Sequence, residues 1–317
     1  MGKIIRIGTR ESQLAIWQAT QVKELLARHG FESELIFIKS EGDIDLVTPL
    51  YELGVQGIFT RSLDAALLND RMDVAVHSMK DVPTQLPQGI VQAAVLKRGP
   101  VNDLLVFKNE EAENRYPMLA TRTPITIGTP FIIATSSIRR KAQWLNKYPN
   151  HIIYNLRGNV NTRLKKLQEE VWDGAIFAQA GLERIHLRPK NSIVLDWMLP
   201  APAQGAIMIA CREDDEFSLN ACRKLNDTET ALCTKIERDF LRQLLGGCST
   251  PISGYAEVRH DNIHFKGNIL SLDGSKKLEV EGSADIYNSN DLGIRAAVNI
   301  LQKGGVELTE EIRHAAN

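Results

Sequence analysis

The sequence lacks the signatures of several large protein classes. No apolar run among its 317 residues approaches the ~20 residues needed to cross a bilayer. It contains neither Gly-x-x-x-x-Gly-Lys nor Gly-x-Gly-x-x-Gly, so the common phosphate loops of nucleotide-binding proteins are not predicted. Its four cysteines form no Cys-x-x-Cys that would complete a zinc site, so we expect no metal site. The first residues include no apolar signal segment, and we expect a protein of the reducing cytoplasm.

Acidic residues are absent from one long stretch. Residues 114–168 hold no Asp or Glu but ten Lys or Arg, although the whole chain has a net charge of −1. The near-neutral total therefore hides a strongly cationic segment, which favours an anionic partner. A nucleic acid is one candidate, since Trp144, Tyr148 and Tyr154 are aromatic side chains that could stack on bases. However, Trp144 and Tyr148 stand four residues apart on a predicted helix, where core packing is the commoner reason, and no nucleic-acid-binding motif is present.

Strand and helix patterns alternate from the N-terminus to about residue 211. This alternation predicts sheets of the parallel type with helices on both faces. Beyond Cys248 strand patterns dominate, with Asp273-Gly274 as a hairpin signal, and a final helix is predicted over residues 292–303. We place linkers near residues 98–102, 195–202 and 211–217. The length and these linkers together indicate two or three domains.

A cluster of polar residues, 77–83, follows the predicted strand Val74–Val76. Open α/β sheets bind ligands at the carboxyl ends of their strands. Lys80 and Asp81 stand side by side there, an arrangement that suits charge recognition or proton transfer. A polar surface turn explains the same residues equally well.

Two further clusters mark strand-to-helix junctions inside the acid-free segment. One is residues 135–140, and the other is residues 156–163. Free N–H groups and the helix dipole favour anions at such junctions, and arginine adds bidentate recognition of carboxylate or phosphate. Two clusters of this kind favour an anion-binding cleft over a solvated basic face.

One cysteine differs from the other three. Cys248 follows two glycines and precedes Ser249-Thr250-Pro251, so we expect it on a loop where its thiol can be reached. Cys211, Cys222 and Cys233 lie in apolar-periodic surroundings, and we expect them to be buried and unreactive.

In combination these stretches resemble the porphobilinogen deaminase (hydroxymethylbilane synthase) family. They match it in the family's order along nearly the whole chain, at residues 7–15, 77–83, 135–140, 157–163, 204–206 and 246–248. The resemblance implies an α/β fold with two lobes like those of periplasmic binding proteins, plus a small α+β C-terminal domain. It implies the following division: residues 1–98 plus 200–216 form domain 1 with the catalytic Asp, 99–199 the Arg-rich, carboxylate-binding domain 2, and 217–317 domain 3 with the cofactor-bearing Cys.

The resemblance also implies a reaction. Members of the family are transferases of tetrapyrrole, and hence porphyrin and heme, biosynthesis. They condense four porphobilinogen molecules head to tail into linear hydroxymethylbilane and release ammonia. The growing chain is primed by a dipyrromethane cofactor on a thioether, which by position is carried by Cys248. Asp81 matches the catalytic aspartate, whose carboxylate stabilises positive charge beside pyrrole N–H groups. The implied partner is porphobilinogen, without nucleic acid or membrane, and the implied state is a monomer.

Further positions are carried over residue by residue. Matches to cofactor-binding positions are Ser78, Lys80, Thr135, Ser136, Ser137, Arg139, Arg140, Arg157, Gly158 and Gln204. Matches to substrate-binding positions are Arg10, Ser12, Arg157, Arg163 and Arg184. Two stretches depart from the family pattern: Gln56 replaces a usual Lys, and Pro202-Ala203-Gln204-Gly205 replaces Val-Gly-Gln-Gly. We assign Gln56 no binding role. The alternative is a two-lobed anion-binding protein without catalysis, in which Asp81 and Cys248 have no purpose.

The cofactor assignment predicts the intact mass of the purified protein. We expect a covalent addition of two pyrrole units that is absent from Cys248→Ser, because that hydroxyl replaces the thiol that forms the thioether. Mass spectrometry of the wild type and the variant measures this directly. An unmodified Cys248 that is freely alkylated, in protein made by a host with ample porphobilinogen, would contradict the assignment.

Overall fold

The computed structural model of the chain describes residues 3–39, 60–115, 130–244 and 250–316. Within these ranges the chain forms two five-stranded sheets and one three-stranded sheet. Helices cover both faces of each larger sheet, and the smaller sheet packs against helices of its own. These features confirm the predicted fold class of two α/β lobes and a small α+β unit. Gln56 and Cys248 lie outside the described residues.

The first lobe is built on a sheet of order β2-β1-β3-β10-β4. Its strands are β1 (Ile5–Thr9), β2 (Ser33–Phe37), β3 (Val74–Ser78), β4 (Ile90–Val95) and β10 (Ile207–Arg212). Its helices are α1 (Gln13–Arg28), α2 (Arg61–Leu68) and α7 (Glu216–Arg223). The side chains of β1 and α1 form a core on one face, where Ile7 and Val22 are fully buried. Leu63 and Leu67 of α2 cover the other face.

The second lobe repeats this layout with the order β7-β6-β8-β5-β9. Its strands are β5 (Asp103–Phe107), β6 (Ile132–Ala134), β7 (Ile152–Tyr154), β8 (Gly174–Ala178) and β9 (Ser192–Leu195). Its helices are α3 (Glu110–Arg115), α4 (Ile138–Lys147), α5 (Val160–Glu169) and α6 (Gln179–Glu183). Trp144 and Tyr148 are both buried in the core of this lobe, with ring centroids 4.9 Å apart. Their helical spacing therefore reflects core packing.

Both larger sheets are mixed, which corrects the expectation of parallel sheets. The neighbours β1, β2 and β3 are parallel, as are β6, β7 and β8. However, β10 runs antiparallel to β3 and β4, and β5 runs antiparallel to β8 and β9. Each of these two strands enters its sheet directly from the other lobe, so it does not follow the crossover path that makes strands parallel.

The two segments that cross between the lobes touch each other. Gly99 donates its backbone N–H to the Gly205 carbonyl at 3.0 Å. Gly205 has φ +85°, and a Cβ there would lie 2.7 Å from the Gly99 carbonyl oxygen, so only glycine fits. Ala203 also has a left-handed backbone, with φ +61°. It is the alanine that stands where the family usually has glycine.

The third unit is an antiparallel sheet of order β11-β12-β13. The strands of this unit are β11 (Ile252–Arg259), β12 (Asn262–Leu270) and β13 (Lys277–Asp285). Its helices are α8 (Thr228–Gln243), α9 (Leu292–Ile300) and α10 (Val306–Ala316). The helix predicted to end at residue 303 is followed by α10, which the sequence reasoning missed. The reason is Gly304, because glycine typically ends a helix, and its φ here is +100°. The chain nevertheless passes through a wide turn at Leu301–Gly305 and continues as helix. No helix of the described part of the chain is long and apolar enough to cross a membrane.

The contact between α8 and α9 yields a stability prediction. A methyl group on Gly293 of α9 would overlap the Ile236 carbonyl oxygen of α8, whereas one on Gly282 of β13 would reach only Leu292 at 3.4 Å. We expect Gly293→Ala to lower the free energy of unfolding by about 1–3 kcal/mol, because the two helices must separate. Denaturant unfolding measures this, with Gly282→Ala as the matched control. Equal stability of the two variants would show that α8 and α9 have room to move apart.

Candidate active site

The Asp81 turn is residues 79–83, which follow β3 directly. Met79–Asp81 form a single 3₁₀ turn, closed by the Val82 N–H on the Met79 carbonyl at 3.2 Å. The Met79 N–H donates to the Ala206 carbonyl at 3.1 Å, which ties the turn to the second crossing segment. Ser78, at the end of β3, pairs with the buried Gln18 of α1, whose Nε2 lies 2.9 Å from the Ser78 hydroxyl. The turn is therefore fixed at its start by α1 and by the crossing segment.

Lys80 points towards the junction of the lobes. Its Nζ donates to Oε1 of Gln204 at 3.3 Å. Burial lowers the pKa of Lys80 to about 8, an effect that Asp81 opposes and the Arg140 guanidinium reinforces. A further anion beside Lys80 would raise this pKa again, so the position suits a carboxylate ligand.

Arg139 and Arg140 begin α4, and local capping fixes their place. The Ser137 hydroxyl caps the helix by accepting from the Arg140 N–H at 3.4 Å, as predicted for this cluster. The Thr135 hydroxyl accepts from the Ser137 N–H at 3.2 Å, and Ser136 between them is half-buried. The short polar side chains thus shape the junction that aims the two arginines inward.

Both arginines bind one fully buried carboxylate, Asp103, at the first residue of β5. Nη2 of Arg139 lies 2.8 Å from its Oδ2, and Nη2 of Arg140 lies 2.8 Å from its Oδ1. Burial by itself would raise the pKa of Asp103, but the two guanidinium groups hold it well below its usual range. Arg139 also donates to the Leu199 carbonyl and Arg140 to the Ile176 carbonyl. The pair is therefore oriented by several fixed acceptors at once.

Gln204 connects this cluster to the first lobe. Its side chain is buried, and Nε2 donates to Oδ1 of Asp103 at 3.0 Å and to the Val101 carbonyl at 2.6 Å. Its Oε1 accepts from Lys80. The amide thus joins Lys80 of one lobe to Asp103 of the other.

Arg157, Gly158 and Arg163 lie at the start of α5. Gly158 has φ +113°, and a Cβ there would lie 2.7 Å from the Thr162 side chain, so glycine is required. The Gly158 carbonyl accepts from Nε of Arg163 at 2.7 Å. Burial lowers the pKa of Arg163 to about 10, and the neighbouring charges include Arg140 and Asp81. Arg163 of the second lobe therefore lies close enough to Asp81 of the first lobe for their charges to interact.

The remaining predicted residues lie around the mouth of this cleft. Ser12 caps α1 by accepting from the Ala15 N–H at 3.4 Å. Arg10 is half-buried. Burial lowers the pKa of His77, and the charge of Arg10 lowers it further. Arg184 sits over the Trp17 ring at 5.6 Å and donates to the Gly205 carbonyl at 2.7 Å, so part of its guanidinium supports the lobe junction. Among the candidates, direct contacts thus join Lys80, Gln204, Arg139 and Arg140 around Asp103, and Arg184 reaches the neighbouring Gly205.

The sequence patterns did not reveal three buried polar residues that hold the site. Asp103 and Gln18 are buried polar residues that hold the site, and Glu237 on α8 is a third. Asp103 had a usable signal, since a carboxylate that opens the buried strand Asp-Leu-Leu-Val-Phe requires a cation. Cys211, Cys222 and Cys233 are buried, as predicted, and burial raises the pKa values of their thiols to about 11, 12 and 12.

Comparison with known families decides what this cleft belongs to. Residues 5–220 match the family model described as "Porphobilinogen deaminase, dipyromethane cofactor binding domain", and residues 231–302 match "Porphobilinogen deaminase, C-terminal domain". The chain belongs to the porphobilinogen deaminase family. This confirms the predicted family and dipyrromethane cofactor, and with them the transferase activity of a hydroxymethylbilane synthase.

Relatives in the porphobilinogen deaminase family are similar over their whole length. The porphobilinogen deaminase of Desulforamulus reducens is 38% identical over 313 residues, which cover 98% of each chain. That of Chlorobium phaeobacteroides is 36% identical over 321 residues, or 99% of each chain. Among solved structures, the methionine binding protein MetQ aligns with 70% of this chain and 89% of its own at 14% identity, with a TM-score of 0.42. That likeness is too remote to bear on function.

The contacts of Asp103 predict how it contributes to stability. Asp103→Asn leaves Arg139 and Arg140 buried without their counter-charge, so we expect the free energy of unfolding to fall by about 3–5 kcal/mol at pH 7. The pKa of Asp103 is depressed in the folded protein, so its stabilisation is present above the ordinary aspartate pKa and is lost at lower pH. The difference in the free energy of unfolding between the wild type and the variant should therefore become smaller below about pH 4.

Denaturant unfolding at several pH values checks this expectation. The control is Glu183→Gln, which removes a half-exposed pair with Arg188 and should cost about 1 kcal/mol or less. A loss in Asp103→Asn no larger than in this control would mean that the arginines find other acceptors.

Proposed function

We propose that Asp81 is the catalytic group with which this chain joins porphobilinogen units into hydroxymethylbilane, and that dipyrromethane is attached at Cys248. The observation that carries the role of Asp81 is its place at the end of β3, next to Lys80 and facing Arg163 of the other lobe. A carboxylate in that position meets a ligand whose own carboxylates are held by the surrounding cations.

The cleft fits a polycarboxylate such as dipyrromethane. Arg139 and Arg140 bind Asp103, and Lys80 is linked to it through Gln204, so the described side chains at this centre carry more positive than negative charge. Burial lowers the pKa values of Lys80 and Arg163, an effect that the neighbouring Asp81 opposes at both groups and that a further anion would also oppose. The acetate and propionate groups of a pyrrole ligand would supply the missing negative charge. When bound, the dipyrromethane supplies the pyrrole to which the first substrate unit is joined.

The residues of the cleft divide into two proposed sets. We assign the cofactor carboxylates and pyrrole nitrogens to Ser78, Lys80, Thr135, Ser136, Ser137, Arg139, Arg140, Arg157, Gly158 and Gln204. We assign the incoming porphobilinogen to Arg10, Ser12, Arg157, Arg163 and Arg184. Hydroxyl and amide groups orient the ligands, while the arginines hold their carboxylates by bidentate contacts.

Asp81 acts on the substrate pyrroles. Each condensation releases ammonia from the aminomethyl group of one porphobilinogen and forms a carbon–carbon bond to the neighbouring ring. Positive charge develops on the pyrrole N–H groups during these steps, and an ionised Asp81 stabilises it in a site of low dielectric. The same carboxylate can accept the ring proton that is lost when aromaticity is restored.

Other functions have less support. Of the three aromatic side chains that could stack on bases, Trp144 and Tyr148 are buried and Tyr154 alone is exposed, so a platform of several stacking rings is not formed by them. A non-catalytic anion-binding protein would leave the Asp81 turn without a purpose. We further propose a monomer in the cytoplasm, since the activity as outlined needs one chain and a small soluble substrate.

The test of the catalytic role is Asp81→Asn. This variant keeps the shape of the side chain but removes its charge, so we expect kcat for ammonia release to fall by at least about 100-fold. The thermal midpoint and the intact mass should match those of a surface control, Asp70→Asn, whose side chain is 71% exposed. Turnover near the wild-type rate would move the catalytic role to another group. Absence of turnover in the wild type would refute the activity itself.

A further inference from the structure

The Asp81 turn is held at its exit by a side chain from the third unit. Arg238 of α8 donates through Nη1 to the Val82 carbonyl at 2.9 Å and through Nη2 to the Pro83 carbonyl at 2.5 Å. Nη1 also lies 3.4 Å from the Met79 carbonyl. Three carbonyls that flank Asp81 thus converge on one guanidinium group.

Arginine is suited to this task, and its neighbours on the same helix do something else. A planar guanidinium presents several N–H groups in a rigid fork, so it can fix the relative positions of several acceptors, which the point charge of lysine does not. Lys235 and Arg242, three and four residues away, bind the carboxylate of Asp239 at 2.6 and 2.7 Å. Arg238 instead turns to the backbone of the Asp81 turn.

The helix that carries Arg238 is itself firmly anchored. The adjacent Glu237 is fully buried and accepts from Nη1 of Arg98 at 2.6 Å and from Nη2 at 3.0 Å. Its two oxygens also accept the backbone N–H groups of Ala203 and Ala256, at 2.6 and 2.7 Å. One carboxylate therefore joins α8 to both crossing segments and to β11, and Arg238 works from a rigid base.

The same helix leads to the proposed attachment site. α8 ends at Gln243, five residues before Cys248. We propose that Arg238 is a positioning residue for Asp81, through which α8 fixes the place of the catalytic turn. The proposal rests on the proposed function. It concerns the geometry of the turn, and Arg238 itself touches no reacting atom.

The test compares Arg238→Gln and Arg238→Lys with Arg242→Gln, a control one turn along the same helix. A small displacement of a catalytic group can cost up to about 100-fold in rate, so we expect kcat to fall at least about tenfold in both Arg238 variants. The KM for porphobilinogen should stay within about twofold of the wild type, because the carboxylate-binding residues are untouched. Intact mass should show the same cofactor in all proteins, and thermal midpoints should match the control.

Hydrogen exchange supplies a readout that does not depend on activity. We expect faster amide exchange in peptides covering residues 78–86 of Arg238→Gln, with no change in β11 or in the Arg242→Gln control. Unchanged exchange in that segment, or an unchanged kcat, would overturn the proposal. A loss of kcat that merely follows loss of cofactor or of folded protein would also overturn it. If the wild type fails to convert porphobilinogen, the proposed function fails, whereas an active wild type with fully active Arg238 variants refutes only the positioning role.

Discussion

One buried carboxylate sets the geometry on which the site depends. Asp103 receives Arg139, Arg140 and the amide of Gln204, and it is fully shielded from solvent. Two guanidinium groups would not remain buried side by side without it, because the cost of removing ions from water is several kcal/mol each. Asp103 is the first residue of β5, Arg139 and Arg140 lie in the first turn of α4, and Gln204 lies shortly before β10. The charge balance is therefore located where the lobes join, so the same contacts that fold the junction also aim the cations of the cleft.

Among the described residues at this junction, positive charges outnumber negative ones. A cleft whose charges were fully paired would gain little from binding carboxylates, and one without any internal counter-charge would be unstable. Asp103 satisfies part of the demand of the arginines, while Lys80 and Arg163 keep lowered pKa values because they are buried. A polycarboxylate ligand stabilises both. In the sequence, this arrangement corresponds to the acid-free segment, residues 114–168. The overall charge of −1 shows only that acidic residues elsewhere in the chain balance the positive charge of that segment.

Local patterns predicted much of the fold and part of the site. The clusters after β3, before α4 and before α5 were found because strand ends and helix caps are encoded within a few residues, as Ser137 and Asn159 illustrate. The strands β5 and β9 were missed because both adjoin predicted linkers and because their place depends on distant pairing, of β5 with β8 and of β9 with β5. Asp103 and Gln204 are 101 residues apart, so no local pattern reveals their contact. The attachment of the cofactor at Cys248 rests on family position and stays a prediction.

The second crossing segment shows how this chain accommodates a departure from its family. Ala203 has φ +61°, a conformation that glycine adopts freely and that costs an alanine roughly 1 kcal/mol. Its N–H donates to Glu237 at 2.6 Å, and a hydrogen bond to a buried carboxylate is worth more than that cost. The strain is thus offset by the residue that also holds Arg98 and sits beside Arg238. Because an alanine has fewer alternative conformations here than a glycine, the crossing is more restricted than the usual family sequence would make it. The position of this crossing is therefore held both by a restricted backbone at residue 203 and by specific contacts such as the hydrogen bond from Gly99 to Gly205.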